Sequence, residues 1–167
     1  MATTRMMMGK IHCAFVTDAN LNYSGSVSVD LDLLEACGLL PNQEVEIWNV
    51  TNGERFSTYI LPSDKPRGAG EITLNGSAAR RVAIGDKVII CGYSEVDLEK
   101  LLLEGKEHVS YCALIENTEN KLRKQFRTVV RVVEDGDAIP EGALVVQYPY
   151  LKAGQKVIYD RQYLVGY

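Results

Sequence analysis

Glycine and asparagine interrupt this chain so often that its apolar residues fall into short runs, which leaves room for strands and small helices only. The plainest case is Asn52-Gly53, set between residues 44–51 and 54–61. In the first of these runs Val45, Ile47 and Asn49 share one face. Asn-Gly between two alternating runs predicts a hairpin, because a type I′ turn requires positive φ at both central residues. The same punctuation predicts strands over residues 11–17, 71–74, 87–93 and 108–116. A short helix fits residues 31–37, with Asp30 or Asp32 to cap its start and Gly38 placed for a left-handed C-terminal cap. A second short helix fits 96–104, and residues 19–26 are turn-rich.

Short strands joined by Gly and Asn turns predict a mainly β chain built on a small β-barrel with one or two short helices. Residues 116–124 are polar and charged and mark the expected boundary. Beyond it, 126–133 and 144–148 are strand-like, separated by a loop at 134–142. Five of the nine tyrosines fall between Tyr148 and Tyr167. These patterns predict a β-rich extension over 117–167 that packs on the barrel of residues 1–116 or on a neighbouring subunit, since isolated strand pairs are marginal.

A length of 167 residues accommodates one domain with a core plus an appendage. The net charge of -4 gives no case for nucleic acid or an anionic membrane surface. The basic run Lys121, Arg123, Lys124, Arg127 and Arg131 is flanked by Glu116, Glu119, Glu134 and Asp135. No apolar run approaches the roughly 20 residues that span a bilayer, and the first ten residues do not read as a signal peptide. A cytoplasmic location is expected. Cys13, Cys37, Cys91 and Cys112 form no C-x-x-C pair and have no ligand spacing with His12 or His108, so free buried thiols and no metal are expected. Neither G-x-G-x-x-G nor a P-loop occurs.

The informative segments are Gly9-Lys10-Ile11-His12, Val16-Thr17 and Ala19-Asn20-Leu21-Asn22-Tyr23-Ser24-Gly25-Ser26. They are followed by Trp48-Asn49-Val50-Thr51-Asn52-Gly53, Arg55-Phe56-Ser57-Thr58-Tyr59 and Asn75-Gly76-Ser77-Ala78-Ala79-Arg80. In this order and spacing, from Met8 to Glu116, the chain resembles the bacterial aspartate 1-decarboxylases. The resemblance implies a double-psi β-barrel and a homotetramer with active sites between subunits. It also implies decarboxylation of L-aspartate to β-alanine for pantothenate synthesis. The cofactor it implies is a covalent pyruvoyl group, which works through a Schiff base with the substrate amine.

By the same resemblance the chain is a proenzyme cut between Gly25 and Ser26, giving residues 1–25 and 26–167. The Ser26 hydroxyl attacks the Gly25 carbonyl, and Ser26 becomes the pyruvoyl group. A glycine at 25 suits this, since it tolerates strained φ/ψ and leaves its carbonyl open. Thr58 is assigned the oxyanion during cutting and a contact with substrate, and Tyr59 the proton donor. Lys10 and Arg55 suit the two carboxylates of aspartate, one as a point charge and the other as a bidentate fork. Asn75, Gly76, Ser77 and Ala78 match the substrate-binding stretch, and His12 and Tyr23 match further pocket positions. Trp48 is assigned to packing. Ser77 stands where the family usually has alanine, the loop at 62–70 is about two residues longer than usual, and the residues after 117 lie outside the common core. Two alternatives are a poorly processed relative with a binding or structural role and a pyruvoyl enzyme acting on glutamate. Lys10, Arg55, Thr58 and Tyr59 occurring together argue against the first, and the Lys–Arg pair limits the second to a dicarboxylic substrate.

Overall fold

The computed structural model describes residues 2–165. Eleven strands form one continuous sheet. They are β1 (Thr3–Phe15), β2 (Asp18–Asn20), β3 (Val27–Val29), β4 (Glu44–Asn49), β5 (Arg55–Pro62), β6 (Ile72–Asn75), β7 (Lys87–Asp97), β8 (His108–Leu114), β9 (Lys124–Val133), β10 (Leu144–Val146) and β11 (Lys156–Val165). Two short helices, α1 (Leu31–Cys37) and α2 (Leu98–Leu102), and a 3-10 turn at Gly76–Arg81 complete the secondary structure. The strand order is β10-β11-β9-β8-β1-β7-β4-β5-β3-β6-β2. Pairing is antiparallel except for β1 with β8, β2 with β6 and β3 with β5. The chain is mainly β, as the turn pattern predicts. Among the described residues no backbone ladder joins β2 back to β1, so the sheet is open. The two ends of the β1-to-β2 stretch of this order meet through Val16 and Thr17, whose N–H groups donate to the Asp86 and Ile72 carbonyls at 2.9 and 2.8 Å. None of the described helices is long and apolar enough to cross a membrane.

Helix α1 forms where its caps predict. Asp30 accepts the Asp32 N–H at 2.8 Å, and Gly38, at φ 69°, closes the other end with its N–H on the Leu34 carbonyl. Asp30 is buried and also accepts the N–H groups of Gly68 and Gly70, which ties the 62–70 loop to the helix start. Leu33, Leu34 and Cys37 turn inward onto a core of Ile11, Val27, Val45, Ile47, Ile60, Leu74 and Ile90. Each of these larger side chains stabilises the fold by about 1.5–3 kcal/mol on burial.

Two expectations need correction. The first strand begins at Thr3, not at residue 11, and β7 runs on to Asp97, past residue 93. Thr3–Met7 pair with Tyr93–Asp97 and are held by cross-strand contacts instead of a clean apolar alternation. Arg5 faces Glu95 at 4.0 Å, and its guanidinium lies 5.2 Å from the Tyr93 ring. The Asn52-Gly53 hairpin exists, with Trp48 opposite Arg55, but its turn is not type I′. Only Gly53 has positive φ there, at 80°, and its N–H reaches the Asn49 carbonyl at 2.8 Å. The buried Asn49 side chain sets this wider loop. Its oxygen accepts the N–H groups of Thr51 and Asn52, and its amide donates to Asp86 Oδ2 and the Arg81 carbonyl.

The C-terminal strands continue the sheet. β9 lies antiparallel along β8, β11 along β9, and β10 forms the outer edge. The stretch before β9 is anchored at Asn120, whose side chain bonds both backbone groups of Phe15 and the Gly70 carbonyl at 2.7–2.8 Å.

Candidate active site

The topology draws residues 25–26 against β5 and β6. Val27 pairs with Ile60 on one side and Leu74 on the other, so Ser26 enters the sheet beside Tyr59 and Asn75. The Asn75 N–H donates to the Ser26 carbonyl at 2.9 Å. Its side-chain amide donates to Ser26 Oγ at 3.0 Å and to Ser28 Oγ at 3.2 Å. Ser26 is 1% exposed, and its φ of 103° is one that L residues rarely adopt. Such a conformation costs about 1–3 kcal/mol and persists only where the surroundings over-determine it. Here β3 follows at once, and Asn75 grips both the carbonyl and the hydroxyl. Gly25, at φ 89°, precedes it.

A cleft of about 430 Å³ opens on this point. Gly25, Ser26, Thr58, Tyr59, Asn75, Ser77 and Ala78 line it, together with Phe56, Ser57 and Arg81. Tyr59 is 39% exposed at its rim, while Thr58, on the other face of β5, is half-buried. Gly76 does not line the cleft. A Cβ there would stand 2.6 Å from the Gly25 nitrogen and 2.9 Å from the Tyr23 carbonyl oxygen, and its φ is 64°. Its glycine lets the 3-10 turn seat the Tyr23–Gly25 backbone, whose own Gly25 N–H to Tyr23 carbonyl bond is 2.9 Å.

Lys10, His12, Arg55 and Tyr23 stand apart from the cleft. Tyr23 lines an adjoining groove with Asp18, Lys65 and Thr73, and Asn75 forms the wall between the two. Lys10, Cys91, Glu46 and Ser57 form one row across β1, β7, β4 and β5, on the face opposite the Ile11, Ile90, Ile47 and Phe56 row. Arg55 and Tyr59 share the Lys10 face by the two-residue period of β5. Three strand spacings separate Lys10 from Ser57, about 14 Å, which is beyond the reach of a lysine side chain. The Arg55 guanidinium lies 4.4 Å from the Trp48 ring, whose indole N–H donates to Glu46.

Burial, then the charge of Lys10, holds the His12 imidazole below its ordinary pKa. All four cysteines are free and buried, as expected. Burial raises each thiol, that of Cys37 to about 12. Arg81 is the lining residue that the motifs do not point to, since it follows them by one position. Its guanidinium is paired with Glu54, and its carbonyl accepts amide groups from Asn49 and Asn52. Only the fold, which brings the hairpin turn onto the end of the 3-10 turn, reveals it.

The family profile described as aspartate decarboxylase matches residues 1–123. A protein of Wolinella succinogenes named aspartate 1-decarboxylase is 57% identical over 96 residues, covering 58% of this chain and 78% of the relative. Proteins of the same name from Carboxydothermus hydrogenoformans and Caldicellulosiruptor saccharolyticus are 54% identical over 102 residues and 45% identical over 119. These alignments cover 61% and 71% of this chain, and 73% and 88% of the relatives. With three quarters of its length inside the profile, the chain belongs to the aspartate decarboxylase family.

Proposed function

We propose that this chain decarboxylates L-aspartate to β-alanine, and that it does so as a self-processed pyruvoyl enzyme serving pantothenate synthesis. The observation that carries the reading is Ser26, buried at a disfavoured φ, with its hydroxyl held by Asn75 and Thr58 and Tyr59 lining the same cleft. Strain at Ser26 and an unhindered Gly25 favour attack of the Ser26 hydroxyl on the Gly25 carbonyl, with Thr58 donating to the developing oxyanion. A donor of that kind contributes about 3–4 kcal/mol. The resulting ester loses the Gly25 carboxylate by elimination. Uptake of one water and loss of ammonia then leave the pyruvoyl group at position 26.

That group supplies Schiff-base chemistry, an electron sink for the pair released as carbon dioxide leaves. The chain's own residues do the rest. Tyr59, at the cleft rim, returns a proton to the substrate carbon. Lys10 and Arg55 hold the two carboxylates, while Asn75, Ser77 and Ala78 fix the orientation. The separation of Lys10 from the cleft within one chain supports a homotetramer in which Lys10 of one subunit faces Tyr59 of another. The reading takes residues 1–116 as a double-psi barrel that carries 117–167 as an extension. A cytoplasmic location agrees with four buried thiols.

Proton NMR of purified protein given L-aspartate tests the reading. β-Alanine should accumulate with the wild type and not with Ser26→Ala. Equal production by Ser26→Ala would overturn it.

A further inference from the structure

We propose that His12, Cys13 and Glu116 form a binding site for a zinc-class divalent cation, outside the cleft. Neighbouring residues of a regular strand point to opposite faces, and the spacing of histidines and cysteines in the sequence therefore gave no ligand set. The structure breaks that rule at one place. The β1–β7 register shifts between Ile11 and Ala14, and Cys13 sits at φ 59°. This bulge turns His12 and Cys13 to the same side. Across from it, Glu116 also adopts positive φ, 56°, where β8 ends. Two backbone bonds lock the pieces together, from the Glu116 N–H to the Cys13 carbonyl at 3.0 Å and from the Ile115 N–H to the His12 carbonyl at 3.1 Å. One ligand atom from each of the three side chains then lies within 4.8 Å of the others.

Two further observations point to a ligand. His12 Nδ1 is buried with no hydrogen-bond partner among the described residues, a costly state for a polar atom. Glu116 Oε2 accepts from the Arg123 guanidinium at 2.7 Å, which fixes the carboxylate and leaves Oε1 free of that bond. Imidazole, thiolate and carboxylate together select zinc or cobalt over magnesium or calcium, and three protein ligands leave one coordination position open. Binding displaces the Cys13 proton to solvent. Thiolate and carboxylate then balance the cation's two charges, which offsets the repulsion from Lys10 and Lys87 nearby. The inference stands on the fold and not on the decarboxylase reading, and a cation here would withdraw His12 from any role with substrate.

Titration of the metal-free protein with Co²⁺ tests it through absorption, without an activity assay. The expected result is one cobalt per chain with a thiolate-to-cobalt charge-transfer band, lost on adding Zn²⁺. Cys13→Ser should abolish the band, and Cys91→Ser should leave it. Glu116→Gln, at an exposed position that does not endanger folding, should weaken cobalt binding at least about tenfold, close to the loss from disturbing a ligand shell. A wild type without the band, a band that survives Cys13→Ser, or unchanged affinity in Glu116→Gln would overturn the proposal.

Discussion

The family-matched body and the C-terminal strands are made of the same β-type residues but use them differently. In the body, the strands and α1 bury one shared core, drawn from residues between Ile11 and Ile115. In the extension, β9 and β11 bury Val129, Val133 and Ile158, but Leu144, Val145, Val146, Tyr150 and Tyr163 remain exposed. β10 is exposed at all three positions. The motif residues that meet at the cleft lie before residue 82, and no described residue of the extension lines it. A sheet can therefore grow by adding strands to its edge without touching the site, provided that the first added strand pairs fully. β9 does so along seven residues of β8, from His108 to Leu114. The cleft and the grown edge are apart in this fold, and the separation can be tested.

The largest effect should come from Tyr59→Phe. The ring and its packing stay, so cutting at Gly25-Ser26 should be normal, while turnover of L-aspartate by the fully cut enzyme should fall by about 10²–10⁴-fold. Wild-type turnover, measured by β-alanine formation, would remove Tyr59 as proton donor.

A truncation ending at Arg123 tests the comparison from the other side. It leaves β8 as an unpaired edge and strips Ser110 of its hydroxyl contact with Thr128 at 2.5 Å. Cutting and β-alanine formation should persist, with the melting temperature lower by about 2–8 °C, the shift expected from one to two kcal/mol. Loss of cutting in a truncation that still melts cooperatively would show that the extension supports the site.

The smallest effect concerns pH and belongs to the body alone, since all four cysteines lie there. Cys37 has its folded pKa raised by burial from 9.0 to about 12. The folded state thus holds a proton that the unfolded chain gives up first. This contribution is fully present below pH 9.0 and is lost as pH rises toward about 12. Melting curves at rising alkaline pH should fall more steeply for the wild type than for Cys37→Ala. Parallel curves would mean that Cys37 is not the group responsible.

Much of this body is legible in the sequence because its signals are local. Asp30 and Gly38 bound α1 as their residue types predict, and the strands either side of Asn52-Gly53 pair as expected. What escaped depends on partners distant in sequence. The first half of β1 lacks an apolar alternation and is held by β7, Asn49 reshapes its turn by reaching Asp86, and Gly76 is glycine because the Tyr23–Gly25 backbone presses on it. The site divides in the same way. The motifs name Ser26, Thr58, Tyr59 and Asn75, and the fold gathers them, whereas Arg81 and the His12–Cys13 bulge follow from chain crossings that no local pattern records.

The central claim, that Ser26 is the strained end of a self-cut chain, is tested most directly by the intact mass of the purified, active protein under denaturing conditions. The account predicts two fragments, residues 1–25 and residues 26–167, with the larger lighter by one ammonia than a chain starting in serine. A single uncut chain in active protein, or a larger fragment with its serine intact, would contradict it.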